Sequence, residues 1–227
     1  MKKLLGFSIF LVFVLIASLT AEAKVTLPAI FSDNMVLQQN TQVNVWGKAA
    51  PGEKVTVKAS WLDKPVTAKA AANGKWTVKL KTPKATTNQS VTVSGENEIT
   101  INNVLIGEVW LCTGQSNMEF PVSRHPDVKW NTGMLNEAEE LKDADYPEIR
   151  LFHVKHQLAH EGELDDCEGE WLVCNPKNLY DFSAVGFVFG RKLYKELKMP
   201  VGLIQSTWGG THAESWTKLD VMKRNPL

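Results

Sequence analysis

From Lys24 to about Asn103 apolar and polar positions alternate, the period of a strand with one buried face. Thr41 to Trp46 shows the alternation, Lys54 to Lys58 repeats it, and Lys75 to Leu80 follows an Asn73-Gly74 pair suited to a tight hairpin turn. Val91 to Val93 and Ile99 to Ile101 add two further runs. The breakers Pro51-Gly52 and Pro83 fall between runs, where a missing N–H costs no ladder bond. No helical period interrupts the stretch, so it predicts an all-β sandwich module over 24–105, of jelly-roll or immunoglobulin-like kind.

After Leu105 the period changes. Glu108 to Cys112 and Glu148 to Val154 read as short apolar strands. Ser183 is placed to cap a helix on which Val185, Phe189, Leu193 and Leu197 recur every four residues along one face, Pro200 stops it, and Val201 to Ser206 is the next strand. Strand, helix, strand predicts a right-handed parallel crossover and hence an α/β domain over 106–227, its sheet covered on both faces. Ligands of such sheets sit beyond the carboxyl ends of the strands.

The first 23 residues follow another logic. Lys2 and Lys3 precede an apolar run from Leu4 to about Leu19 and then Ala21-Glu22-Ala23, the pattern of an export signal cleaved near Ala23, with an uncleaved anchor as the alternative. A periplasmic or secreted chain starting at Lys24 is the expectation, with no membrane contact once the signal is removed. The chain has 227 residues, 44% of them hydrophobic and 22% charged, which suits a globular protein with room for two modest domains. Its 25 basic and 25 acidic residues cancel, so no global field draws nucleic acid and any ligand is recognised locally. Of the cysteines, Cys167 and Cys174 in CEGEWLVC are spaced to bridge a small loop in an oxidising compartment, and Cys112, in an apolar strand, is expected to be buried and inert.

The stretch EVWLCTGQSNMEF carries the chemistry. If Glu108 to Cys112 is a parallel strand, Thr113 to Asn117 lies just past its carboxyl end, Gly114 supplies a tight turn and Ser116 stands at the ligand-facing rim. A serine hydroxyl there can attack an acyl carbonyl while converging N–H groups hold the oxyanion. Ser116-Asn117 would equally serve as a simple helix cap.

Three separate segments extend this reading. GQSNM after an apolar strand, preceded by FSDNMVLQQN and AAPGEKVTV and followed by LIQSTWGGTHAESW, resembles the sialate O-acetylesterase family of SGNH hydrolases over nearly the whole mature chain and in the same order. The resemblance implies a three-layer α/β/α catalytic domain with a parallel sheet, no cofactor and no metal. Its substrate would be an acetylated sugar or sialoglycan, with acetylated xylan as a related possibility. It makes Ser116 the nucleophile and one oxyanion donor, gives the second donor to Gly209 or Gly210, and puts Gln115, Asn117, Thr211 and His212 within reach of substrate. Glu214 fits a capping box, Thr211-His-Ala-Glu214, better than an acid.

Two parts of that family pattern are missing. No Gln is followed by Gly-Glu, and no Asp has a His three positions later, so the base and its orienting carboxylate have no counterpart here. A serine without a base is a weak nucleophile. With only about three strands after Leu105, a sheet this small would leave apolar edges uncovered, so the expectation is an incomplete catalytic domain, the amino-terminal portion of a longer protein, with very low activity by itself. The other histidines suggest less: His153, His156 and His160 in HVKHQLAH have a metal-like spacing without a completing ligand, and His125 lies in a loop-like SRHPD segment. A second reading, a non-catalytic glycan-binding module, would use Trp46, Trp61 and Trp76, which suit a core equally well.

Overall fold

The computed structural model describes residues 24–125, 133–159 and 162–224. The expected export signal at 1–23 and His160 lie outside them. Among the described residues no helix is long and apolar enough to cross a membrane.

Residues 24 to 105 contain strands and turns and no helix. In order come β1 (Val36–Gln38), β2 (Gln42–Lys48), β3 (Lys54–Ala59), β4 (Val66–Lys69), β5 (Lys75–Lys81), β6 (Thr86–Ser94) and β7 (Glu98–Gly114). β2 and β5 form a two-stranded antiparallel sheet, joined in register from Gln42 opposite Lys81 to Lys48 opposite Lys75. The alternation seen in the sequence is the burial pattern itself: on β5, Trp76, Val78 and Leu80 face the core while the lysines face out.

The two runs read as separate strands, around Ile99 to Ile101 and Glu108 to Cys112, are one 17-residue strand, β7. What joins them is a bulge. Asn103 has φ 54°, the left-handed region that asparagine tolerates, and the pairing with β6 slips between Gln89/Val104 and Val91/Ile101. The first half of β7 pairs antiparallel with β6, and its second half pairs parallel with β10 (Val201–Thr207). Residue 105, the boundary read from the change of period, therefore lies inside a continuous strand. The whole forms an eight-stranded sheet, ordered β4-β3-β6-β7-β10-β8-β9 with β1 added on β7. Here β8 is Tyr146–His153 and β9 is Trp171–Cys174, a short strand that the sequence period does not announce.

Helices are few. They are α1 (Ser116–Glu119), α2 (Glu137–Lys142), α3 (Pro176–Leu179), α4 (Ala184–Leu197) and α5 (Leu219–Arg224), besides a 3-10 turn at Ala213–Trp216. The mixed α/β character expected above is present, with α4 packed on β10 and β8. Ser183 caps α4 as expected, its hydroxyl accepting the Gly186 N–H at 3.0 Å, and Lys198 ends it in a left-handed conformation before Pro200. The buried face is not the one that the four-residue spacing suggests. Val185, Phe189 and Leu197 are exposed, and Ala184, Phe187 and Gly190 face inward. Gly190 sits against Leu203 of β10, so a small residue sets the contact line and turns the apolar stripe outward, where Phe189 meets the half-exposed Trp110 edge to face at 5.0 Å.

One buried cation ties the strand systems together. Arg150 of β8, 3% exposed, donates to the Pro147 carbonyl, to the carbonyl and side chain of Asn34, and to the Asn103 side chain at the bulge. The cysteines are all free thiols, which overturns the suggested bridge. Cys174 is buried in the cluster around Phe187, and Cys167 packs against the other cluster, around Trp171. Burial pushes the Cys174 thiol up to about 12, and Cys112 is buried as expected, its thiol also raised.

Candidate active site

β7 and β10 end together. Their parallel register runs from Val201 opposite Glu108 to Thr207 opposite Gly114, so the two bends that follow share one rim of the sheet. The Trp208 N–H donates to the Gly114 carbonyl at 3.0 Å and fastens them. Gly114 has φ 143°, a backbone only glycine adopts freely, and it swings the chain into the single turn of α1. Both the Met118 and Glu119 N–H groups bond the Gln115 carbonyl, leaving the Ser116 and Asn117 N–H groups without a bond among the described residues.

Ser116 is exposed, and its hydroxyl has no hydrogen-bond partner among the described residues. Gly209 lies against it: a Cβ placed there would be 3.3 Å from the Ser116 Oγ and 2.5 Å from a Glu119 carboxylate oxygen. Gly210 follows at φ 76° in open space. The serine and the glycine pair are thus brought together, as the sequence led us to expect. Gln115 and Asn117 are exposed on the same bend.

Thr211 and Glu214 behave differently. The Thr211 hydroxyl donates to the Trp208 carbonyl at 2.7 Å and accepts from the Trp216 indole at 2.8 Å, so it is spent inside the turn. The expected capping box does not form: the short 3-10 helix starts after His212, which makes no side-chain cap, and Glu214 is exposed. A hydroxyl already bonded to a carbonyl and an indole has no call to bond a helix N–H.

The structure also brings in Glu119, which the sequence did not single out, and His156, which the sequence marked only for its metal-like spacing. The Gly209 N–H donates to Glu119 Oε2 at 2.5 Å, and Glu119 Oε1 lies 3.0 Å from His156 Nε2. The same nitrogen faces the Thr207 carbonyl oxygen at 2.8 Å, and the His156 ring stacks on Trp208, 4.3 Å between centroids and 4° from parallel. Both partners of Nε2 are acceptors, so Nε2 carries the hydrogen and is not free to take one from Ser116. His156 also lines a cavity of about 530 Å³ with His153, Lys155, Gly169, Glu170 and Leu172. Burial pushes the His153 imidazole below its ordinary value, and the neighbouring His156 adds to this. His125 pairs with Asp181 at 2.6 Å. Among the described residues no group of three or more His, Cys, Asp or Glu is arranged to hold a metal ion.

Support for the rim is buried. Gln205, wholly inside β10, accepts the Ser183 N–H at 2.7 Å and donates to the Thr207 hydroxyl at 3.0 Å. The chain after α1 is pinned to the start of α4 by the Ala184 N–H on the Phe120 carbonyl at 2.8 Å. Of the tryptophans proposed for sugar contact, Trp76 is buried and Trp61 donates its indole N–H to the Lys81 carbonyl. Trp46 is exposed and lines a cavity of about 220 Å³ with Lys48, Lys75 and Asp165.

No family profile matches this chain. The fold is shared with a solved carbohydrate acetylesterase from Xanthomonas citri, with a TM-score of 0.78 and 31% identity over 88% of this chain and 44% of that one. That places the protein among mixed α/β folds of the esterase kind. In sequence it is 34% identical over 215 residues to the sialate O-acetylesterase of Mus musculus, covering 86% of this chain and 38% of that protein. The Homo sapiens sialate O-acetylesterase is 33% identical over 205 residues, 82% of this chain and 37% of that one. The chain belongs to the sialate O-acetylesterase family. It spans under two fifths of the length of these relatives.

Proposed function

We propose that the chain is the serine-bearing part of a carbohydrate O-acetylesterase, acting on O-acetylated sialic acid or a similar acetylated sugar. The observation that carries this reading is the contact of Gly209 with Ser116 across two strand ends held in parallel register. Family membership supports the substrate class, and a cavity lined by His153, Lys155, His156 and Glu170 offers polar room that a sugar could fill.

In the proposed reaction Ser116 Oγ attacks the acetyl carbonyl carbon. Its proton passes to a base, and the oxyanion rests on the Ser116 N–H and a glycine N–H. Collapse breaks the ester bond, the base returns the proton to the sugar oxygen, and an acetyl group remains on Ser116. Water, deprotonated by the same base, then releases acetate and regenerates the hydroxyl. No histidine among the described residues accepts from the Ser116 hydroxyl, so the base is proposed to be a histidine from sequence outside these residues, as the family's Asp-x-x-His would supply. The chain is further read as exported to the periplasm or beyond, after cleavage near Ala23. The test is hydrolysis of an aryl acetate by the full-length protein: Ser116→Ala is expected to lower turnover by roughly 1,000-fold or more, and near-normal turnover in that variant removes Ser116 from the mechanism.

A second reading, sugar binding without hydrolysis, draws on Trp46 and the polar rim of its cavity. Calorimetry with acetylated glycans separates the two: binding that Trp46→Ala abolishes, with no acetate released, favours the module.

A further inference from the structure

We propose that Glu119 is a positioning residue: its carboxylate clamps the glycine turn after β10 onto the bend that carries Ser116, which leaves the N–H of Gly210, and not that of Gly209, to bind the oxyanion. The clamp rests on geometry alone, and its catalytic consequence rests on the esterase reading above.

Glu119 closes α1, and its side chain is 21% exposed. One oxygen accepts the Gly209 N–H at 2.5 Å and the other lies 3.0 Å from His156 Nε2. His156 follows β8, is held flat on Trp208, and touches the Thr207 carbonyl oxygen at the end of β10. A single carboxylate therefore joins the chain past β7, the turn past β10 and the segment past β8. Bonds to a carboxylate are short and roughly twice as strong as neutral ones, so this contact adds a side-chain tie to the Trp208–Gly114 backbone bond that already joins the two bends.

The clamp also explains the glycine. Any side chain at position 209 would be driven into Glu119 Oε2 and crowd the Ser116 hydroxyl. Glycine thus lets the carboxylate sit against the Gly209 N–H without moving aside, a different demand from that of letting substrate approach. A backbone N–H has one hydrogen, and that of Gly209 is already directed at a carboxylate; an oxyanion sharing it would meet a like charge at close range. The Gly210 N–H has no partner among the described residues, and a Cβ placed on Gly210 meets nothing within 4 Å.

Nitrogen–proton correlation spectra and acetyl-ester kinetics of the full-length protein, compared for wild type, Glu119→Gln and Glu119→Ala, test the proposal. The Gly209 amide proton is expected far downfield and slow to exchange in wild type. It should move upfield with Glu119→Gln, which keeps the shape and loses the charge, and further with Glu119→Ala, while melting temperatures stay close. Turnover should fall about 10- to 100-fold in Glu119→Ala with KM within about twofold, and Glu119→Gln should recover part of it. An unchanged Gly209 resonance and exchange rate in both variants overturns the clamp, and unchanged turnover overturns its role. If Ser116→Ala leaves hydrolysis intact the esterase reading fails, and the Gly209 resonance still decides whether the clamp exists.

Discussion

At the scale of single residues the account turns on the few atoms between Ser116 and Gly209. Gly209→Ala puts a methyl group 3.3 Å from the Ser116 hydroxyl and 2.5 Å from the Glu119 carboxylate, so the carboxylate swings away or the turn retreats, and either loosens the two bends. A displacement near 1 Å costs about 100-fold in such reactions, and that is the fall expected in acetyl-ester turnover, with the melting temperature as the control. The thiols make a separate test. With Cys174 buried and its thiol pushed to about 12, alkylation of the folded protein should proceed first at half-buried Cys167 and leave Cys174 for the denatured state, as peptide mass mapping will show. That the bends of Ser116 and Gly209 share one rim was legible from the parallel-strand pattern, whereas the roles given to Ser116 and the glycines came from the resemblance, because the same bend would equally serve as a helix cap. Glu119 and His156 were not legible as partners. Their contact joins two segments distant in the chain: a lone Glu after Met118 carries no local pattern, and the spacing in HVKHQLAH pointed to a metal and not to a carboxylate partner.

At the scale of elements, α4 shows how a correct boundary can carry a wrong face. Its Ser183 cap and Pro200 stop were readable from residue type, but two apolar stripes compete on the same helix, and the small residues Ala184 and Gly190 decide which one meets β10. Gly190→Ala should therefore destabilise by about 1–3 kcal/mol, although alanine favours helix, because the added carbon meets Leu203. Phe189→Ser on the exposed stripe should change stability by less than about 1 kcal/mol. Urea unfolding of the two variants compares them directly. β7 was legible as two strands and not as one, since Asn102-Asn103 reads as a turn when its bulge partner on β6 is unknown. The buried Arg150 reaches that bulge: Arg150→Met should cost about 1–3 kcal/mol, chiefly by leaving the Pro147 and Asn34 carbonyl oxygens without their donor, since the Asn34 side chain keeps the Asn103 amide and Asn103 is exposed to water.

At the scale of the whole molecule, one strand carries both the β-rich half and the candidate site, so anything that loosens the fold reaches the rim. Acid is expected to do so in two stages. Desolvation on the cavity wall and the neighbouring His156 hold the His153 imidazole below its ordinary 6.5, so as pH falls through that value the unfolded chain takes up a proton before the native one does; the residue is exposed to solvent, so the drop in stability is small. The Arg191 guanidinium hydrogen-bonded to Glu140 holds that carboxyl below its ordinary 4.5, so the stability it contributes is full above 4.5 and is lost as pH falls through the native value. Melting temperature should therefore decline from pH 7 to pH 5 and again below pH 4.5. His153→Gln should flatten the first decline and Glu140→Gln the second.

The most direct measurement is to find the acetyl group itself. The full-length protein is mixed with p-nitrophenyl acetate, quenched in acid during the burst and mapped by peptide mass spectrometry. The account predicts one acetyl group on the peptide containing Ser116, absent in Ser116→Ala. An acetyl group on another residue, or a full rate of hydrolysis with no acetylated peptide in a competent quench, would contradict it.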